Sequence, residues 1–194
     1  MLALKINTGL IECGTDEAGR GCLAGPVTAA AVILPEDFSH PWLNDSKQLS
    51  AKKRAHLRQI IIEESVSYAV AHVMMKDIDR LNILNASIKA MHQAIKALSE
   101  RPEFIAVDGN RFKPFGSIPH LCVVKGDAKY QHIAAASILA KTTRDAYMQQ
   151  LDLLHPEYGW RQNQGYPTKA HRAAIAAFGA TTYHRMSFRL LADE

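Results

Sequence analysis

Ile11-Glu12-Cys13-Gly14-Thr15-Asp16-Glu17-Ala18-Gly19-Arg20-Gly21, followed by Val27-Thr28-Ala29-Ala30-Ala31-Val32-Ile33-Leu34, decides how the chain is read. The first run leads from apolar residues into two adjacent carboxylates and a Gly-Arg-Gly turn, and the second is almost wholly apolar. The pattern is strand, charged turn, strand. Neighbouring side chains on an extended chain point to opposite faces, so Asp16 and Glu17 address one point only where the strand bends or stops. Gly19 and Gly21 supply backbone freedom there and allow another backbone to come close. Two acids beside a glycine-flanked arginine suit a hard cation next to a phosphate. From this stretch alone, a hairpin turn with solvated charges is the alternative.

Outward from these residues, strands are expected over 10–17 and 26–34, and Pro35 ends the second. Ser50 reads as an N-cap that opens a helix to about Glu64, with Leu57, Ile60 and Ile61 on its apolar side. Residues 66–73 alternate and are rich in β-branched side chains, as a strand requires. Asp77 and Asp79 read as helix-start residues favoured by the macrodipole rather than as metal ligands. Leu84, Ile88, Met91, Ile95 and Leu98 recur at steps of four and three and predict a helix over 82–99. Residues 104–110 and 121–124 read as two further strands, and strand, helix, strand in this order implies a parallel crossover. From Lys129 the chain is expected to turn helical until Pro156 and Gly159, with Ile133, Ala136, Ala140, Tyr147, Leu151 and Leu154 on one face. The run Ala134-Ala135-Ala136-Ser137 lets that helix approach a neighbour closely. Thr168 caps a last helix through Ala177, and residues 181–188 read as a polar tail without assigned structure.

At 194 residues and 47% hydrophobic, the chain suits a single α/β domain over 1–194, with a C-terminal helical part from about 155. The formal net charge of +4 is compatible with a nucleic-acid partner. Cys13, Cys22 and Cys122 are widely spaced and form no CxxC pair, which excludes a zinc ribbon and a disulfide scaffold and fits reduced thiols in the cytoplasm. No apolar run approaches membrane-spanning length, and no membrane partner is expected.

Three separate strands end in acid: at Asp16-Glu17, at Asp108 and at Asp127, each close to a glycine. In α/β sheets, sites form where strand ends and their loops converge. Carboxylates brought together raise one another's pKa unless a cation lies among them. Mg²⁺ and Mn²⁺ are hard, oxygen-seeking ions that share their shell with water and phosphate. Two of them can activate a water and stabilise a departing oxygen in phosphoryl displacement. The nine histidines are scattered and offer no transition-metal spacing.

Seven segments, in order, resemble the motifs of bacterial ribonuclease HII. They are Asp16-Glu17-Ala18-Gly19-Arg20-Gly21, Asn44-Asp45-Ser46-Lys47-Gln48-Leu49-Ser50, Asp108-Gly109-Asn110, Lys125-Gly126-Asp127, the stretch from Ala134 to Asp145, Gly165-Tyr166-Pro167-Thr168 and His184-Arg185-Met186-Ser187-Phe188. The resemblance implies a ribonuclease H-like mixed five-stranded sheet with flanking helices and a C-terminal helical extension. It implies an endoribonuclease that cuts the RNA strand of RNA–DNA hybrids, and cuts 5′ to ribonucleotides embedded in duplex DNA, leaving 5′-phosphate and 3′-hydroxyl ends. By motif position, Asp16, Glu17, Asp108 and Asp127 are the catalytic, metal-binding carboxylates for Mn²⁺ or Mg²⁺. Gly19, Arg20 and Gly21 form the turn that senses the ribose 2′-hydroxyl, and Tyr166 packs on the neighbouring sugar. Asn44, Ser46 and Lys47 join them as substrate-binding candidates, with Lys125, Lys141, Arg144, His184 and Arg185 as weaker ones for backbone phosphate. Cys22 stands where the family more often has proline and is expected to stay clear of the chemistry. A monomer is expected, since no zipper or apolar patch stands out. Another ribonuclease H-like phosphodiesterase and a non-catalytic binding module are the rival readings; the second should lack one or more of the acids.

Overall fold

The computed structural model describes residues 2–44 and 49–191 and, of Asn44, the backbone alone. Five strands, β1 (Glu12–Ala18), β2 (Val27–Ile33), β3 (Ser67–Val73), β4 (Phe104–Asp108) and β5 (His120–Val123), form one sheet in the order β3-β2-β1-β4-β5. β2 is antiparallel to both β1 and β3, whereas β4 is parallel to β1 and β5 parallel to β4. β3 and β4 therefore run the same way on either side of the central pair, which is the parallel crossover read from the strand–helix–strand order.

β2 is buried along its whole length and serves two cores. Val27, Ala29, Ala31 and Ile33 join Cys13, Ile105 and Val107 against α3 (Ile83–Lys96), whose Met91 and Ile95 fill that side. Ala30 and Val32 face the other way, towards α1 (Ala51–Glu64) and α4 (Gln131–Leu154), where Leu57, Ile61 and Ala134 to Ala136 pack. α4 lies so close to β1 that a Cβ on Gly14 would meet the backbone of His132 and Ile133 at 2.4 Å. Small residues at Gly14 and along the alanine run make this approach possible. Ser50 caps α1 as its position suggested, accepting from Lys53 N at 3.3 Å.

The helix read over 82–99 is α3, and a separate short helix, α2 (Met75–Leu81), precedes it. Asn82 separates them at φ 64°, and its side chain caps α3 by accepting from Asn85 N at 3.1 Å. Asp77 does lie in the first turn of α2, where it accepts from Lys89 Nζ and Arg80 Nη2. Asp79 instead reaches across to the C-terminal segment, where its carboxylate accepts from the backbone N–H groups of Met186 and Ser187, at 3.0 and 2.9 Å, and from Ser187 Oγ. Leu154 does not share the buried face of α4; it is 65% exposed, because the helix runs past the sheet. In that overhang Met148 and Leu151 pack instead with Leu23, Tyr158, Trp160 and Ile175, beside α5 (Trp160–Asn163) and α6 (Lys169–Phe178). Thr168 caps α6 through its hydroxyl, which accepts from His171 N at 3.1 Å.

Residues 181–188, read as a polar tail without assigned structure, pack in part into the fold. His184 bridges Ala24, and His184 and Arg185 are both buried. The hydrogen bonds fix the ring tautomers of this region. Trp160 Nε1 donates to His171 Nε2 at 2.9 Å, so His171 Nδ1 carries the hydrogen and donates to Tyr166 O at 2.9 Å. Thr181 N donates to His184 Nδ1 at 2.9 Å, so the hydrogen of His184 is on Nε2, 3.3 Å from His171 Nε2. Both rings are thus neutral, and burial pushes both pKa values down, that of His184 to about 4. An unfolded histidine titrates near 6.5. The unfolded chain therefore takes up the proton first, and the stabilisation, complete above that pH, is lost as pH falls towards 4. On urea denaturation at pH 7 and pH 4.5, the parent should lose on the order of 2 kcal/mol more than a His184→Gln variant. Equal losses in the two proteins would locate the acid sensitivity elsewhere.

Among the described residues no helix is long and apolar enough to cross a membrane.

Candidate active site

β1 ends at Ala18 because Gly19 turns the chain with φ 91°. The parallel register of Gly14 with Ala106 and Thr15 with Val107 carries forward to Asp16 and Asp108, side by side on the face covered by α4. Glu17 follows where the strand gives out, which answers how adjacent acids can share one site. Asp16 Oδ1 accepts from Glu17 N at 2.7 Å, and Asp108 Oδ1 accepts from Gly126 N at 2.7 Å. A cleft of about 450 Å³ opens on these three acids, and the turn Gly19, Arg20, Gly21 and Tyr166 line it as well.

Burial, then the charge of Glu17, then that of Asp108 hold the Asp16 carboxyl well above the usual range, against a hydrogen bond with Ser137. Burial also pushes Glu17 up, with Asp108 adding to it and Arg20 opposing. Arg20 Nη1 donates to Glu17 Oε1 at 3.0 Å, while Glu17 Oε2 is buried with no hydrogen-bond partner among the described residues. Among the described residues no three His, Cys, Asp or Glu side chains close into a ready-made coordination shell. Facing acids that repel one another, one with an unsatisfied buried oxygen, nonetheless fit an external cation, with solvent or substrate oxygens completing its shell. Asp127 is buried in the single turn Gly126–Ala128 after β5 and does not line the cleft. The structure thus brings three of the four expected acids onto the cleft and buries the fourth in the neighbouring turn, next to the Gly126 N–H that Asp108 accepts from.

Of the substrate-binding candidates, Gly19, Arg20, Gly21 and Tyr166 converge on the cleft. Ser46 and Lys47 lie outside the described residues, as does the side chain of Asn44. Lys141 also reaches the cleft, with its ammonium paired to Asp145. Arg144, Arg185 and His184 are corrected: all three are buried, and none is a surface phosphate contact. Arg144 donates from Nε, Nη1 and Nη2 to Pro26 O, Gln164 O and Ala24 O at 2.9, 2.9 and 3.0 Å. Arg185 donates from Nε, Nη1 and Nη2 to Gly25 O, Arg20 O and Gly19 O at 3.0, 2.9 and 2.7 Å. Cys22 is closer to the site than expected: its thiol is buried near Tyr166, whose hydroxyl pKa is raised by burial and then by Cys22. Ser137 and Arg54 are further lining residues that motif reading passed over. Ser137 sits inside the alanine-rich segment already singled out, and its spacing relative to a strand-end acid was the available signal.

A family profile described as Ribonuclease HII matches residues 13–191. The chain is 60% identical to the ribonuclease HII of Christiangramia forsetii over 97% of its own length and 95% of that protein's. It is 59% identical to the ribonuclease HII of Bacteroides fragilis, over 100% of this chain and 96% of that one. Among solved structures, ribonuclease H2 from Pyrococcus horikoshii superposes with a TM-score of 0.78 at 27% identity, covering 92% of this chain and 94% of that one. The ribonuclease HII in a PCNA complex from Archaeoglobus fulgidus superposes with a TM-score of 0.77 at 25% identity, covering 95% and 98%. The match spans the acids, the glycine turn and the clamping arginines alike, so the chain belongs to the ribonuclease HII family and is an endoribonuclease of RNA–DNA hybrids.

Proposed function

We propose that this chain cuts on the 5′ side of ribonucleotides, in hybrids and singly embedded in duplex DNA, and that Asp16, Glu17 and Asp108 hold its Mn²⁺ or Mg²⁺. The observation that carries the reading is the cleft itself: three mutually repelling acids open onto the same space as a glycine turn and an exposed tyrosine. Asp127 is the fourth acid of the proposal, supported by its position one residue from Gly126, whose N–H holds Asp108. A divalent ion bound there supplies a more acidic water and neutralises charge at the phosphate. The protein's own groups do the rest. Asp16 and Asp108 would hold that ion against the end of the sheet, where their own repulsion is relieved by it. Gly21 has nothing within 4 Å of where a Cβ would be, leaving open space for a sugar to approach the backbone. The 2′-hydroxyl is what separates ribose from deoxyribose, and the Gly19-Arg20-Gly21 turn faces it. Tyr166 packs on the adjoining sugar, and Arg20 and Lys141 meet phosphate oxygens, which sets affinity and salt dependence rather than sequence choice. Ser46, Lys47 and Asn44 complete the proposed contacts. Three free cysteines accord with a cytoplasmic protein, and the proposed working form is a monomer.

The test is cleavage of three labelled duplexes, all-DNA, DNA with one ribonucleotide and a long RNA–DNA hybrid, with Mg²⁺, Mn²⁺ or EDTA. The expected result is metal-dependent cutting 5′ to the single ribonucleotide and within the hybrid, with the all-DNA duplex intact. Cutting of all three, or cutting in EDTA, would refute the proposal.

A further inference from the structure

We propose that Arg144 and Arg185 are positioning residues that set the discrimination between ribose and deoxyribose, by locking the Gly19-Arg20-Gly21 turn and the Tyr166 turn into one rigid unit. The inference rests on the reading of those turns given under Proposed function.

Both guanidinium groups are essentially excluded from solvent, with Arg144 1% and Arg185 0% exposed. Among the described residues each directs its hydrogen bonds to backbone carbonyls and none to a carboxylate. Burying a charge without an ion-pair partner is expensive, and a well-packed apolar side chain would hold a core at lower cost. The use made of the two charges is therefore informative. Every carbonyl they hold belongs to residues 19, 20, 24, 25, 26 or 164, that is, to the glycine turn, the segment leaving it, and the residue two before Tyr166.

The two arginines also grip Gly19 from both sides. Its carbonyl accepts from Arg185 Nη2, and a Cβ at its α-carbon would lie 2.0 Å from Arg144 Nε. Arg144 spans from Ala24 O to Gln164 O, and Leu23 N donates to Gly165 O at 2.7 Å, so the two turns are bonded directly as well. Recognition of one hydroxyl by hydrogen bonds requires placement to within about 0.5 Å. A planar fork of donors provides such placement, whereas the point charge of lysine does not. Arg185 is itself seated by its neighbours: its guanidinium lies 5.2 Å from the Phe188 ring centroid, and Asp79 holds the backbone N–H groups of Met186 and Ser187.

The experiment compares parent, Arg185→Lys, Arg144→Lys and Asp79→Ala on duplexes carrying one ribonucleotide or one 2′-fluoro nucleotide, which keeps an acceptor but lacks the O–H. Rates are measured well below each melting temperature. For the arginine variants the expected result is a 10–100-fold fall in kcat with KM within threefold of the parent, and at least a tenfold fall in the ribo-to-fluoro ratio. Asp79→Ala removes a half-buried carboxylate whose charge favours the Arg185 guanidinium, but leaves the hydrogen bonds of Arg185 to Gly25 O, Arg20 O and Gly19 O in place. It should fold normally and lower the ratio three- to tenfold. Folded variants that melt earlier yet keep the parent's kcat and ratio would overturn the proposal, and an unchanged ratio in Asp79→Ala would do so even if neither arginine variant folds. A parent that fails to cut the single-ribonucleotide duplex would refute the underlying reading of the turns instead.

Discussion

Replacing Asp16 by asparagine is expected to reduce cleavage of a single-ribonucleotide duplex by at least about 10³-fold, the equivalent of several kcal/mol of lost transition-state stabilisation. The same change should leave the metal-free protein as stable as the parent, or more so. The carboxylate of Asp16 is buried on the α4 face beside Asp108, with Glu17 next to it in the chain, and both acids raise its pKa. Asparagine removes that repulsion and keeps an oxygen for Glu17 N, which Asp16 Oδ1 now accepts at 2.7 Å. The second readout is melting with and without Mn²⁺. The parent should melt higher with the ion, since a ligand of the folded state stabilises it by mass action, and the variant should show little or none of that gain. Binding of an RNA–DNA hybrid in EDTA should persist, because the Gly19-Arg20-Gly21 turn, Lys141 and Tyr166 are untouched. A folded Asp16→Asn protein with near-parental turnover would remove Asp16 from the mechanism.

The second large effect comes from alanine at Gly19, set against alanine at Gly21. Gly19 has φ 91°, which a side chain disfavours, and the added Cβ would lie 2.0 Å from Arg144 Nε and 2.5 Å from its Cδ. Arg144 cannot simply swing away, because leaving would strand the carbonyls of Pro26, Ala24 and Gln164 without their donor. Backbone strain and unsatisfied buried carbonyls together should cost about 3 kcal/mol or more. Gly21 meets no atom within 4 Å, so Gly21→Ala should change stability by less than about 0.5 kcal/mol. It should still impair cleavage, since the new methyl occupies the space proposed for the sugar. Urea denaturation and single-turnover cleavage of both variants would separate the effects. Equal destabilisation by the two alanines would contradict the packing described for Gly19.

These contrasts show which parts of the molecule were written plainly in the chain. The sheet was legible because β2 is apolar throughout and because three strands run visibly into acids. Asp16, Glu17 and Asp108 could be found from strand ends alone, and the ordered motifs supplied the roles. Asp127 carried the same signal, yet it is buried within a single turn, and no periodicity distinguishes that place from the cleft. The separate helix α2 was hidden because it is only seven residues long, and it is set off from α3 by Asn82 alone, whose φ is positive. Arg144, Arg185 and Asp79 were read by the usual rule that charges belong on the surface or at helix starts. Their partners are backbone carbonyls and N–H groups from residues far away in the sequence, which leave no pattern in composition or spacing. Cys22 looked like a neutral replacement for proline until the fold put Tyr166 beside it.

The grip of Arg185 on the carbonyls of Gly19 and Arg20 spans 165 and 166 residues of chain. During synthesis the acids at residues 16, 108 and 127 are made long before the group that steadies the glycine turn. A nascent chain can thus assemble its sheet and its carboxylates while the neighbouring turn still lacks its brace. On the role proposed for Arg185, the segment that carries it completes the specificity of the enzyme after the acids are in place, so a copy truncated just before residue 185 is expected to discriminate less well between ribose and deoxyribose.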